Sequence, residues 1–351
     1  MRKWEDQMKA TVPGVTHLIG PQTHLDNEVK VIGRWIRATE QGIELEVDSR
    51  YVQQAIEAYG LQEAKEVATP AVKEETLDGE ARRDILVKRL LGESRGMTEK
   101  DSQEERQVRG EPLEEQERKK FQSVSALLNF VVPDCPDLLF AIKEVLRATA
   151  APGADDLRRL KRILRYLRGR PRRILEMPWT SERAGIEVCV DSDFAGCRVT
   201  RKSTCGGCVL WGDVLVKAWS KTMATLALST GEAELGATTR GAAEAEGIAP
   251  ILRDFGISDS IRLKSDASAA IGITQRMGLG KVRHLSVADL WIQQKVRRQE
   301  VEIEKLPGEH NPSDLMTKAM DGERIKYLLG LMGVRLGRPS GASTGQGELR
   351  H

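Results

Sequence analysis

Aromatic residues are scarce in this chain of 351 residues: Phe, Trp and Tyr together make up 4% of it. Between Glu74 and Lys120 there is none, and acidic and basic residues are densely mixed. A stretch with so little to bury cannot build a core, so a charged linker is expected over 76–118. No apolar run is long enough to cross a bilayer, and no secretory segment is evident. The five cysteines are odd in number, which argues against a disulfide framework and for a reducing, intracellular compartment, cytoplasmic or nuclear, with no membrane partner. Cys205 and Cys208 lie three apart in an expected strand and so point to opposite faces. No second Cys or His pair completes four ligands, which argues against a structural zinc site there and for packing residues. Positive charge is in small excess only, a formal +2, so only local clusters can indicate a partner.

What is present suits a soluble globular protein with more than one domain: 40% of residues are apolar. Residues 25–75 read as short strands with a helix around Tyr51–Tyr59, and 1–24 remain unassigned. Amphipathic helices follow over 119–180, broken at Pro133, Pro136, Pro152 and Pro171. After Arg183 the pattern changes to alternation with β-branched residues, marking a separate domain over 184–335. The Gly- and Ser-rich tail, 336–351, is expected to be disordered.

Four carboxylates carry the chemical signal: Asp191 in Val-Asp-Ser-Asp-Phe-Ala-Gly, Glu234 in Gly-Glu-Ala-Glu-Leu-Gly-Ala, Asp266 in Lys-Ser-Asp-Ala-Ser, and Asp314 in His-Asn-Pro-Ser-Asp-Leu. The alternating segments 186–190 and 261–265 predict strands that deliver Asp191 and Asp266 at their ends. Ser229-Thr230-Gly231-Glu232 is a capping-box pattern opening an Ala-rich helix, with Glu234 near its first turn. Asn311-Pro312 reads as N-cap and N1 of a last helix, which places Asp314 in its first turn. Hard oxygen ligands converging from strand ends and helix starts suit two divalent ions about 4 Å apart on a phosphodiester, and point to nuclease chemistry. Asp193 shares a strand face with Asp191 and competes for its place.

The wording around these acids is narrower. Asp191-Ser192-Asp193-Phe194-Ala195-Gly196, Arg201-Lys202-Ser203-Thr204-Cys205-Gly206-Gly207, Trp219-Ser220-Lys221, Leu228 to Glu234, Arg283-His284-Leu285 and Asp314-Leu315-Met316-Thr317-Lys318 together resemble the ribonuclease H region of copia-type LTR retrotransposon Pol polyproteins. Upstream, Val31-Ile32-Gly33, Gly42 to Leu45, Tyr51-Val52 and Ala68-Thr69-Pro70 resemble the end of the reverse transcriptase. Cys135 to Ala141 and Leu160 to Leu167 resemble the connection that follows it. The resemblance covers about 30–75 and 110–330. Leu235 and Ala267 stand where that family usually has an aromatic and an Asn, and Arg283-His284-Leu285-Ser286 replaces its Lys-His-Ile-Asp. No paired-aspartate palm motif occurs in a strand context, so the expected object is a Pol fragment that begins inside the reverse transcriptase and cannot polymerise.

The resemblance implies an α/β fold: an RNase H-like mixed five-stranded sheet flanked by helices, preceded by a mostly helical connection and a small α+β remnant of the reverse transcriptase. It implies endonucleolytic hydrolysis of the RNA strand of RNA/DNA hybrids with two Mg2+ ions, Mn2+ being the alternative. The ligands would be Asp191, Glu234, Asp266 and Asp314, with His310 shuttling a proton or assisting product release. Hydroxyls of Ser203, Thr204, Ser229, Thr230 and Ser268, together with Arg283 and His284, would contact nucleic acid. The remainder of a Pol polyprotein or reverse transcriptase is the implied partner. A catalytically silent nucleic-acid-binding remnant is the competing reading. Trp211 and Trp219, on a hairpin around Gly212-Asp213, read as core residues.

A further cluster is legible without the resemblance. Leu157, Leu160, Leu164 and Leu167 recur at helical spacing, so Arg158, Arg162 and Arg165 fan out over the opposite face, where they could follow phosphates.

Overall fold

The computed structural model describes residues 19–21, 26–72, 109–179, 185–197, 200–254, 256, 260–278 and 287–337. Most of the expected linker, the tail from 338 onward, and Arg283 and His284 lie outside them.

Two five-stranded sheets organise the described residues. In the first, β1 (Glu28–Val31), β2 (Arg34–Ala38) and β3 (Gly42–Val47) form an antiparallel meander. Helix α1 (Ser49–Ala58) follows, and buried Asp48 caps it by accepting the Arg50 amide at 3.0 Å. Helices α2 (Glu115–Val131), α3 (Leu139–Leu146) and α4 (Ala154–Gly169) pack over α1 into one core with Phe121, Leu128, Ile142 and Leu160 at its centre. On α4 the anticipated apolar stripe is present: Leu160, Leu164 and Leu167 are fully buried, and Leu157 packs at their edge.

Residues 172–178, read from the sequence with the helical segment, instead form strand β4 (Arg172–Pro178), which pairs with β3 and with a C-terminal strand, β10 (Val334–Gly337). Arg-Pro-Arg-Arg does not resemble a sheet interior. The burial of Arg173 becomes tolerable because its guanidinium grips Asp137 at 2.8 and 3.1 Å, and the Tyr166 hydroxyl donates to the same carboxylate at 2.8 Å. Leu336 and Gly337 likewise belong to β10 rather than to a structureless tail.

The second sheet is the mixed five-stranded one expected. Its order is β7 (Val214–Thr222), β6 (Thr204–Trp211), β5 (Ile186–Asp193), β8 (Ile261–Ser265), β9 (Val301–Lys305), with β5, β6 and β7 antiparallel and β8 and β9 parallel to β5. Alternation explains how both its faces are covered. Ile186, Val188 and Val190 face α5 (Thr230–Asp254), while Cys189 and Cys208 face the helical core. Cys205 and Cys208 do fall on opposite faces, and all five cysteines are free and buried. The many alanines of α5 let it lie close to the sheet. A Cβ on its Gly241 would come within 2.5 Å of Val190 Cγ1, so a side chain there would push the helix outward. The β6–β7 hairpin turns at Gly212, whose φ is +61°, and Trp219 is buried as anticipated. Helices α6 (Ser268–Thr274), α7 (Val287–Arg297) and α8 (Gly322–Gly330) complete the unit.

Candidate metal centre beside a helical connection

Register brings the first two acids together. In the parallel ladder Ile186 pairs with Ile261 and Cys189 with Lys264. The same offset continued past the strand end sets Asp266 beside Asp191 on one face. Glu234 comes from just past the first turn of α5. Ser229 is the N-cap expected, its hydroxyl accepting the Glu232 amide at 3.2 Å, while Glu232 reaches back to the Leu228 amide at 2.6 Å. As a result the carboxylates of Asp191, Glu234 and Asp266 offer oxygens that all lie within 4.8 Å of one another. Asp191 and Glu234 are buried and Asp266 is half-buried.

Burial and mutual repulsion raise the proton affinity of Glu234 and Asp191. The Glu234 carboxyl is pushed up to about 8, first by desolvation and then by the charge of Asp191. Asp191 is also raised, by burial above all, although Lys318 and the Thr317 hydroxyl work against it. One oxygen of Glu234 is buried without a hydrogen-bond partner among the described residues.

Asp314 is not within the same 4.8 Å group. It lies in a five-residue 3-10 segment (Pro312–Met316) rather than an α-helix, with Asn311 as the expected N-cap and Pro312 at N1. Asp314 is joined to the cluster through Lys318, whose Nζ lies 2.6 Å from Asp314 Oδ1 and 3.5 Å from Asp191 Oδ2. The Thr317 hydroxyl donates to Asp191, and Arg324 sits 3.5 Å from Asp314. Thr317 and Lys318 carry no expected role in the motif around Asp314. The spacing of Asp314 and Lys318, four residues apart, was the available signal. Asp193 stands apart, folded against Gly196.

His310 is exposed, and its ring nitrogen meets the Tyr327 hydroxyl. Ser203 and Thr204, expected at a nucleic-acid surface, are instead enclosed: Ser203 Oγ accepts the Ala195 amide at 3.1 Å and Thr204 Oγ1 accepts Lys143 Nζ at 2.7 Å. Those contacts tie the turn after β5 and helix α3 to β6, a tertiary use that the motif does not reveal. Ser229 caps a helix, Thr230 is exposed, and exposed Ser268 accepts from Lys305. The arginines of α4 also have partners within the chain. Arg158 pairs with Asp155, Arg162 donates to Thr69 Oγ1 at 2.8 Å, and Arg165 to the Lys65 carbonyl at 2.6 Å. Much of the basic face therefore straps residues 61–71 to the helix, and Arg158 is left the most exposed of the three.

No helix among the described residues is long and apolar enough to cross a membrane. No family model matches the chain. A retrovirus-related Pol polyprotein from transposon TNT 1-94 of Nicotiana tabacum is 27% identical over 214 residues, 60% of this chain and 16% of that protein. An uncharacterized mitochondrial protein of Arabidopsis thaliana is 32% identical over 124 residues, 35% of this chain and 51% of that one. A Pol polyprotein from transposon RE1 of Arabidopsis thaliana is 21% identical over 63% of this chain and 15% of its own length. The matched part thus spans about half of one relative and a much smaller share of the others. Among solved structures, a foamy viral protease-reverse transcriptase in complex with double-stranded DNA shares 14% identity at a TM-score of 0.42, over 81% of this chain and 39% of that one. The N-terminal RNase H domain of a Mycobacterium tuberculosis protein shares 14% at 0.28, over 38% and 90%. By sequence, the chain is related to the retrovirus-related Pol polyproteins of plant transposons.

Proposed function

We propose that the unit built on the mixed sheet hydrolyses the RNA strand of RNA/DNA hybrids, as part of a copia-type Pol polyprotein whose polymerase active site is absent from this chain. The observation that carries this reading is the convergence of Asp191, Glu234 and Asp266 within 4.8 Å. Three carboxylates held so close, two of them with raised proton affinity, are costly unless a cation shares them.

The donor set fits a hard divalent cation. It is all carboxylate oxygen, and a buried Glu234 oxygen is left without a partner. Asp191, Glu234 and Asp266 would hold Mg2+, or Mn2+ in its place, with Asp314 as the outer carboxylate. Such ions supply charge neutralisation at the phosphodiester and a more acidic water. The chain's own residues do the rest. Thr317 orients Asp191 through its hydroxyl, and Lys318 is a cation positioned between Asp191 and Asp314. His310, exposed on the segment that leads to Asp314, would shuttle a proton or assist product release.

The test is incubation of the chain with an end-labelled RNA/DNA hybrid in Mg2+, with single-stranded RNA, duplex RNA and duplex DNA as controls. Cleavage confined to the RNA of the hybrid, and abolished by chelator, is the expected result. Binding without cleavage at any Mg2+ or Mn2+ concentration would leave a silent remnant.

A further inference from the structure

A cavity of about 450 Å3 lies between α3, α4 and the turn that follows β5, within the range of small-molecule sites, roughly 300–1,000 Å3. One side is apolar, with Phe140, Ala141 and Ile163. The other is charged, and most of its charges are matched within the chain. Arg147 pairs with Glu144 at 3.1 Å, Arg159 with Asp156 at 2.9 Å, and Lys318 with Asp314 at 2.6 Å.

Among the cations of the wall, Arg162 is the exception, and Asp193 is a wall carboxylate without an ion pair among the described residues. The Arg162 guanidinium has only the neutral Thr69 hydroxyl, and its Nε is buried with no hydrogen-bond partner and no carboxylate among the described residues. Arg165 adds like-charge repulsion. A cation left unmatched on the wall of a cavity is stabilised by an anion entering it. The cavity also borders the carboxylate cluster, because Thr317 and Lys318 line it and both touch Asp191 from their other side.

We propose that this cavity is a subsite for one nucleotide of the strand that reaches the carboxylates, its phosphate on Arg162 and its base against Phe140 and Ile163. The proposal rests on the nuclease reading for its ligand class. It moves substrate recognition off the catalytic sheet and onto the connection helices.

Calorimetric titration of the full chain with AMP, inorganic phosphate and ribose 5-phosphate tests it. AMP should saturate one site, and the two probes without a base should bind about tenfold more weakly, as expected when an aromatic contact is lost. Arg162→Gln should weaken AMP about tenfold, since a charge-assisted hydrogen bond is removed, and Arg162→Lys should recover part of that loss. Cys197, a buried thiol on the cavity wall whose proton affinity is lowered by contacts with Thr200 and Arg147, should be alkylated more slowly when AMP is present. Asp191→Asn should keep AMP binding while hybrid cleavage is lost. No saturable AMP binding, equal affinity for AMP and phosphate, an unchanged affinity in Arg162→Gln, or loss of AMP binding in Asp191→Asn would each overturn the proposal. AMP binding that follows these rules in a chain unable to cleave any hybrid would overturn the nuclease reading alone.

Discussion

Asn311, fully buried, donates its side-chain amide to the carbonyl oxygen of Val190 at 3.0 Å, fastening the 3-10 segment that carries Asp314 to the residue directly before Asp191. The same side chain accepts the Ser313 amide at 3.2 Å as N-cap. The two roles separate by mutation. Asp is as good an N-cap as Asn, but a carboxylate cannot donate to a carbonyl. Asn311→Asp should therefore destabilise the chain about as much as Asn311→Ala, roughly 1–3 kcal/mol for a buried polar group left unmatched. Denaturant unfolding of both variants measures this, and a wild-type midpoint for Asn311→Asp would show that capping alone matters.

Asp191→Asn, Glu234→Gln and Asp266→Asn each delete one ligand charge and preserve shape. Each should lower hybrid cleavage by at least about 100-fold, the scale of losing several kcal/mol of transition-state stabilisation at a metal site, with circular dichroism unchanged. Near-normal turnover in any of the three would remove that residue from the site.

The raised proton affinity of Glu234 has a pH signature. Its carboxyl is held up to about 8 in the folded chain, against roughly 4.3 when unfolded, so between those values the folded state binds the additional proton. Stability of the metal-free chain should then fall as pH rises through that window. Thermal unfolding in chelator at pH 5 and pH 8.5 measures the slope. Glu234→Gln should flatten it and unfold at higher temperature than the parent at pH 8.5. A slope unaltered by the substitution would contradict the burial assigned to this carboxyl.

Gly206 on β6 is where the 3-10 segment presses on the sheet. A Cβ there would lie 2.6 Å from Met316 Cβ and 2.7 Å from Thr317 Cγ2. Gly206→Val should push Thr317 away from Asp191 and cost about 1–3 kcal/mol through overpacking. Cleavage should fall more than this instability explains when both are assayed well below the melting temperature. Full activity would mean that the Thr317 contact is dispensable.

Arg173 and Asp137 are both essentially inaccessible to solvent and paired at 2.8 Å. Arg173→Met alone strands a buried carboxylate and should cost roughly 3–5 kcal/mol. Arg173→Met with Asp137→Leu should recover most of it. A double variant no better than the single one would place the energy in packing around Tyr166 rather than in the ion pair.

The periodicities were enough to specify the local elements. Alternation over 186–190 and 261–265, the capping pattern at Ser229–Glu232 and the leucine spacing on α4 each encode an element whose period or cap is a property of adjacent residues, and all formed where expected. The acidic motifs pointed to Asp191, Glu234 and Asp266 as well, although Asp191 lies within β5, which runs on to Asp193, and only Asp266 follows a strand end. Tertiary structure decided what local chemistry cannot encode. Arg173 is charged yet buried, because Asp137, distant in sequence, receives it. Ser203 and Thr204 read as surface hydroxyls yet face inward, because the Ala195 amide and the ammonium of Lys143 need acceptors there. Arg162 and Arg165 read as a free basic face, yet they hold residues 61–71. Apart from Ser203, whose partner is eight residues away, each partner lies far along the chain, and pairing between distant residues is set by the fold as a whole rather than by the pattern around either one.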